Sequence, residues 1–450
     1  MKMQTIIHKG AVASLDNDQH FYNPGYVLIE DDLILSIQAG NPNAELLDRA
    51  NQVIDASNKL VMPGLINAHT HLFQTFIRGL GDGKPLQDWL QAYIWPVGSR
   101  MGSYEATLSG LLGLVENIHS GVTAVIDNQY LHNTPDFDDA YCQAAADLGI
   151  RYLLARGWAD RNYHPAFLET GDQILERVGL LTERWNCHPS GRIRVEFGPL
   201  SKQRCSNSTM QRTWAAAKEW GVGMHMHTSE TQFQTNFCIE EEGLRTVEWL
   251  EKIGCLDENT QLVHCVWLND HEIELIAKRK AKVVHCAVSN MFLASGVARI
   301  PEMVKRGISI ALATDGPASN NNQDMIETLK TTALLHKLTS KNAEIFKTED
   351  LLWMACRNGS EAFGQPDMIG SLEPGKKADL ILVDLDSPFA APIYNPLSSL
   401  VYSLHGSDVD TVIINGKTIM SGKKITCIDE KELLLECQKA AIALISRIEK

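Results

Sequence analysis

His69 and His71 are separated by a single residue, and in an extended segment alternate side chains share a side. Both imidazoles can therefore reach one ion. His227, with Glu230 three positions on, His264 and Asp315 lie far away in sequence but have complementary chemistry. His227 and Asp315 would complete a set of three nitrogens and one oxygen, which suits zinc and also iron or manganese. A water in the open position would have its pKa lowered from about 15.7 to about 7, giving hydroxide at neutral pH. Glu230 is then well spaced to carry a proton to a leaving nitrogen. His264 could orient the water or stabilise charge on the attacked ring.

Taken singly, each residue has an ordinary explanation. A His-x-His in a loop is more often structural, and Asp315 before Gly316-Pro317 reads as a turn residue. Their positions relative to the predicted strands change that. From about residue 60 to 316, short β-branched runs alternate with longer helical stretches such as 104–120, 138–148, 208–220, 244–253 and 270–279. The predicted strands are Leu60–Ala68, Val122–Asp127, Ile150–Arg156, Ile193–Phe197, Val222–His227, Gln261–Cys265, Lys282–Cys286 and Ser309–Thr314. Near-continuous apolar runs of this length are the pattern of buried parallel strands. Such β–α repeats over about 250 residues match a closed (β/α)8 TIM-type barrel, whose active site gathers at the strand C-termini. Every candidate named above falls at or just past such an end.

Both flanks are rich in short strands and turns: Thr5–His8, Gly25–Ile29, Leu33–Gln38 and Gln52–Asp55 at the start, then Ala378–Asp384 and Val409–Thr418. The expected division is a small β-sandwich domain from residues 1–59 plus 367–427, a metal-dependent barrel over 60–366, and a C-terminal helix over 428–450 packed outside.

Bulk properties narrow the partners. The formal net charge of -14 argues against nucleic acid, which needs clustered Lys and Arg. It also mildly disfavours anionic substrates. No apolar run is long enough for a membrane span, and Met1–Asp16 lacks the apolar core of a signal peptide. The ten cysteines form no C-x-x-C pair, so free thiols in a reducing cytoplasm are expected.

Around the site, Trp89 is a candidate platform for a planar ring, Arg156 after the third strand is a candidate reader of a polar substituent, and His285 ends the seventh strand within expected reach of substrate. His225, one step deeper than His227, is expected to support the site from behind.

These segments resemble the amidohydrolase superfamily: Pro63-Gly-Leu-Ile-Asn-Ala-His-Thr-His71, His227-Thr-Ser-Glu230, Val263-His-Cys265, Thr314-Asp-Gly316 and the C-terminal run Ile369-Gly-Ser-Leu-Glu-Pro-Gly-Lys-Lys-Ala-Asp-Leu380. Phe76-Ile-Arg-Gly79, Asp88-Trp-Leu90, Ser289-Asn290, Leu293-Ala-Ser-Gly296 and Asp315-Gly-Pro-Ala-Ser-Asn320 are similar to its branch of chlorohydrolases and aromatic deaminases. That branch includes methylthioadenosine/S-adenosylhomocysteine deaminases, melamine deaminase and atrazine chlorohydrolase. The resemblance implies a single divalent ion, zinc or iron, on His69, His71, His227 and Asp315. It implies proton transfer by Glu230 and His264, with Asp315 also accepting a proton from the water. A homo-oligomer is expected by analogy.

Two positions depart from the adenosine-type deaminases of that branch. They carry a His after the fourth strand where this chain has Leu200, in Gly198-Pro-Leu-Ser-Lys-Gln203, and a Glu suited to ribose hydroxyls where it has Gln87. Leu200 beside Trp89 suits a smaller flat ring of triazine, pyrimidine, pterin or purine type. The expected activity is hydrolytic deamination of an amino-substituted N-heterocycle, with ammonia released. The alternatives are displacement of halide or alkylamine from an s-triazine-like ring, or deamination of methylthioadenosine/S-adenosylhomocysteine. A non-catalytic scaffold is disfavoured because every key position holds a competent residue.

Overall fold

A computed structural model describes residues 2–448. Met1, Glu449 and Lys450 lie outside the described residues, so the expected C-terminal helix is followed only as Glu430–Ser446. The chain opens with β1 (Gln4–Ala13), β2 (Phe21–Glu30), β3 (Leu33–Ala39), β4 (Gln52–Asp55) and β5 (Lys59–Pro63). The barrel strands follow: β6 (Leu65–Thr70), β7 (Val122–Asp127), β8 (Arg151–Trp158), β9 (Ile193–Pro199), β10 (Met224–Thr228), β11 (Thr260–His264), β12 (Lys282–His285) and β13 (Ile310–Leu312). Last come β14 (Leu380–Asp384), β15 (Val409–Ile414), β16 (Lys417–Ser421) and β17 (Lys424–Ile425).

β6 to β13 form one eight-stranded sheet in strict sequence order, and the pairs are parallel. This is the (β/α)8 order, with helices such as Ser103–His119, Asn207–Trp220 and Asp270–Arg279 in the crossovers. Between β13 and β6 the ring is joined by a backbone hydrogen bond. Asp315 N–H donates to the His69 carbonyl at 3.0 Å.

The other strands make a separate nine-stranded sheet in the order β17-β16-β15-β14-β5-β1-β2-β3, with β4 beside β1. Ile7, Val12, Val27, Ile29, Ile34, Val61, Leu380, Leu382 and Ile413 from its two halves pack into one core. The sheet therefore joins strands from both ends of the chain around a common interior, as expected. By contact density the chain divides into two units. One takes the chain up to Asn67 with Val115–Ala124 and Asp324–Ile428; the other takes Ala68–Leu114, Val125–Gln323 and the chain from Asp429. Within the second unit the terminal helix lies along Ser103–His119, where the Cys437 thiol meets the Leu108 carbonyl and Arg447 pairs with Glu105 at 2.8 Å. Among the described residues no helix is long and apolar enough to cross a membrane, and all ten cysteines are free.

Two predicted strands prove to be pairs of strands. Leu60–Ala68 is interrupted at Gly64: β5 pairs with β14 and β1 in the small sheet, and β6 belongs to the barrel. A near-continuous apolar run conceals this switch because both strands are buried. Val409–Thr418 is a hairpin, turning at Asn415-Gly416 with both residues at positive φ (54° and 73°). Asn-Gly is the favoured pair for such a two-residue turn.

Gly64 allows a close approach. A Cβ there would lie 2.1 Å from Thr123 Cγ2 and 2.2 Å from its Oγ1. Gly64→Ala should destabilise by about 1–3 kcal/mol, the usual cost of forcing a methyl into packed surroundings. A lowered urea midpoint is the expected result, and an unchanged midpoint would contradict this packing.

Candidate metal centre and active-site cavity

The strand ends bring the predicted residues together. His69 lies on β6 and His71 just beyond it, His227 is on β10, His264 ends β11, and Asp315 follows β13. The His69 ring centroid is 4.7 Å from that of His71, 4.9 Å from His227 and 6.0 Å from His264. Asp315 Oδ1 lies 3.5 Å from His69 Nε2 and 3.4 Å from His71 Nε2. Candidate donor atoms of His69, His71 and His227 fall within 4.8 Å of one another, as do those of His69, His264 and Asp315.

Hydrogen bonds behind the rings determine what faces inward. His71 Nδ1 is 2.7 Å from the Asn128 carbonyl and His227 Nδ1 is 3.0 Å from the Leu200 carbonyl. A carbonyl only accepts, so each Nδ1 carries the proton and each neutral ring turns a bare Nε2 to the centre. Those two Nε2 atoms stand 3.3 Å apart. His69 Nδ1 is held by His225 Nε2 at 2.7 Å, and the buried His69 Nε2 has no hydrogen-bond partner. Lone pairs converging in this way with a carboxylate beside them fit a divalent cation. Three nitrogens and an oxygen are the donors such an ion takes.

The electrostatics agree. Burial pushes the His69, His71 and His227 pKa values down, which favours the neutral ring, the ligating form. Burial alone would raise the Asp315 carboxyl, but the His69 contact and the neighbouring imidazoles outweigh it and hold it well below the usual range. Ser289 Oγ at 2.6 Å and Gly316 N–H at 2.7 Å donate to the same carboxylate. Glu230 shifts the other way. Burial and the Asp315 charge raise its carboxyl, against the effects of His264, Ser295 and Gln234. One wall thus holds a carboxylate that stays ionised, and another a carboxyl that keeps its proton more readily. Environments pushed apart in this way separate base from acid. Glu230 Oε2 lies 3.9 Å from His264 Nε2, while His264 Nδ1 is held by Asn290 Oδ1 at 3.0 Å.

The backbone is bent to make this arrangement. His264 (φ 71°) and Asp315 (φ 65°) adopt left-handed conformations that side chains disfavour. Such strain costs about 1–3 kcal/mol per residue and persists where the surroundings over-determine it, characteristically at active sites.

A cavity of about 270 Å³ opens beside the centre. His71, His227, Glu230, His264 and Asp315 line its floor, and Trp89, Gln87 and Leu200 line its sides, as expected. Trp89 is buried and packs against Gly81, where a Cβ would fall 2.2 Å from its Cδ1. Leu200 contributes both an apolar side chain to the cavity and the carbonyl that holds His227.

Two expectations are corrected. Arg156 does not line the cavity. It is fully buried, with Nε 3.2 Å from Asp138 and its guanidinium paired to Glu169, and those two carboxylates use its charge internally. His285 is buried at the end of β12 and is likewise absent from the lining. The sequence reading missed Arg204, Tyr163, Tyr130, Gln74 and Phe233, which do line it. They come from loops and helices whose direction no strand periodicity reveals. Asn290, which holds His264, was within reach, because Ser289-Asn290 belongs to the segments quoted for the family resemblance.

The chain matches the amidohydrolase family over residues 60–419. It is 36% identical to the 5-methylthioadenosine/S-adenosylhomocysteine deaminase of Thermoanaerobacter pseudethanolicus, covering 99% of this chain and 100% of that protein. It is also 36% identical to the 5'-deoxyadenosine deaminase of Methanosarcina mazei over the same shares. Among solved structures, an adenosine deaminase from Xanthomonas campestris with bound zinc superposes with a TM-score of 0.92 at 29% identity, covering 99% of both chains. Atrazine chlorohydrolase from Arthrobacter aurescens TC1 reaches a TM-score of 0.91 at 22% identity over 97% of this chain and 100% of that one, a likeness of fold. The chain belongs to the amidohydrolase family. It is a hydrolytic enzyme of the metal-dependent kind, with a divalent ion as its cofactor.

His225 stands behind His69 and is itself held at Nδ1 by Gln261 Oε1, 2.7 Å away. Outer partners of this kind set the orientation of a ligand ring, and their loss costs about 10–100-fold in metal affinity. His225→Phe should weaken divalent-metal binding by about that factor in a chelator competition, with the far-UV circular dichroism unchanged. Undiminished affinity would show that His69 needs no such support.

Proposed function

We propose that this chain is a metal-dependent hydrolytic deaminase of an amino-substituted N-heterocycle, releasing ammonia, and that the ring is a 6-aminopurine or a close analogue. One observation carries the chemistry: His71 and His227 face each other through bare Nε2 atoms 3.3 Å apart, with the Asp315 carboxylate alongside. The purine is favoured by relatives that match along nearly their whole length and are named deaminases of adenosine-type nucleosides.

In this reading His69, His71, His227 and Asp315 hold the ion. Zinc is preferred over iron, because it suits this donor set and occupies the Xanthomonas campestris structure. When bound, the ion supplies the Lewis acidity that makes water a competent nucleophile at neutral pH. The remaining roles belong to this chain's own side chains. Trp89 and Leu200 sandwich the flat ring and keep bulk water from it. Asp315 accepts a proton from the attacking water. Glu230 delivers a proton to the exocyclic nitrogen as the new carbon–oxygen bond replaces the carbon–nitrogen bond, and ammonia leaves. His264, fixed by Asn290, stabilises charge on the ring as it is attacked.

Glu230→Gln keeps the size and the metal but removes the proton carrier, so turnover should fall by about 10²–10⁴-fold with metal content intact. His69→Ala should instead lose metal on dialysis, as measured by elemental analysis. Ammonia release by the zinc-loaded enzyme across aminopurines, aminopyrimidines, pterins and triazines tests the activity itself. No ammonia from any of them would overturn the assignment, and normal turnover in Glu230→Gln would overturn the proton role.

A further inference from the structure

Arg204 is a buried cation with no carboxylate of its own. It is only 7% exposed and lines the active-site cavity. One Nη donates to the Asn162 carbonyl, the other to Gln87 Oε1 at 3.0 Å, and the guanidinium lies 5.1 Å from the Tyr163 ring centroid. Both hydrogen-bond acceptors are neutral. Of the five N–H donors of a guanidinium, these bonds commit two, and among the described residues no carboxylate pairs with the rest.

Other shielded cations of the same unit are treated differently. Arg156 lies on Asp138 and Glu169, Lys202 on Glu241 and Glu242, and Arg245 on Glu272. Among the described residues Arg204 has no such partner. Holding a charge out of water without a counter-ion is costly, and proteins keep such groups where a ligand completes them. The cost is visible in the direction of its pKa, which burial lowers.

Gln87 is what leaves the charge uncompensated. A Glu at this position would fall on the guanidinium and neutralise it. The amide instead accepts one N–H and orients the fork without cancelling the charge. Leu200 adds an apolar side chain to the lining of the same cavity.

We propose that Arg204, oriented by Gln87 and Tyr163, is the specificity-determining receptor for a carboxylate carried by the substrate, so that the enzyme prefers anionic aminoheterocycles over neutral ones. This rests on the deaminase reading for the identity of the reacting ring. The planar fork matches two carboxylate oxygens, and the bond is charge-assisted at a guanidinium that is itself buried. The chain's net charge of -14 works against such ligands at long range. The local cation therefore acts at contact distance, where it selects among ligands already in the cavity.

The test is equilibrium binding, by calorimetry, of matched carboxylate and carboxamide pairs to the zinc-loaded full-length protein in a Glu230→Gln background, which does not consume them, the unsubstituted enzyme serving for turnover. The probes are adenosine-5'-carboxylate, pterin-6-carboxylate and cytosine-5-carboxylate, each beside its carboxamide, with ammonia release followed in parallel. In at least one series the carboxylate should bind about 10–100-fold more tightly than the amide. Arg204→Gln should erase that preference. Gln87→Glu, which leaves the guanidinium in place and supplies an internal counter-ion, should erase it too, and it stands as the test if Arg204→Gln does not fold. Equal binding within all three pairs overturns the proposal, as does a preference that survives in the variants. A carboxylate preference without ammonia from any probe would instead reject the deaminase reading and leave the role of Arg204 standing.

Discussion

The hydrogen bond from Asp315 N–H to the His69 carbonyl joins the last strand of the barrel to the first, and most of the site depends on that junction. It sets the Asp315 carboxylate beside His69 and His71, residues about 245 positions away in the chain. Thr70 and Gln323 reinforce it through the Asp315 carbonyl at 3.2 and 2.9 Å. A ring of parallel strands has no free edge to relax into, so the left-handed backbone at Asp315 and His264 can be held against its cost.

The same closure decides the charge states. Three imidazoles shielded from water cannot all protonate beside one another, and burial lowers their pKa values. Asp315, among those rings and two donors, stays ionised. Glu230, with its weaker donors, keeps a raised carboxyl. Identical carboxyl chemistry is thereby shifted in opposite directions by surroundings alone, as the proposed base and acid roles require. A preorganised arrangement of this kind needs little rearrangement at the moment of reaction, which is where much of the catalytic advantage of such sites originates.

The cavity above the centre combines a flat aromatic wall with a single shielded guanidinium. In the proposed reading Trp89 and Leu200 would act on any planar ring, and Arg204 on whatever the ring carries. Division of labour between a general chemical floor and a variable rim is what allows related barrels to keep one reaction while changing substrates.

The amino-acid sequence by itself determined the barrel, the flanking sheet and the residues gathered at the candidate metal centre. Apolar runs of strand length mark buried strands, and the ends of such strands in a parallel barrel all point to one mouth. Seven of the eight expected barrel strands lie within about two residues of the observed ones, the margin to be expected at element edges. The first was misread because a buried strand of the small sheet runs directly into a buried strand of the barrel, and hydrophobicity cannot mark a change of sheet. Tertiary structure alone decided what the cationic side chains do. Arg156 and Arg204 are the same residue type near neighbouring strand ends, and nothing local distinguishes them. Asp138 and Glu169 fold onto the first, and among the described residues no carboxylate pairs with the second, so one charge is spent within the protein and the other is left lining the cavity. Pairing of charges is a property of through-space distance, and that exists only once the chain has closed.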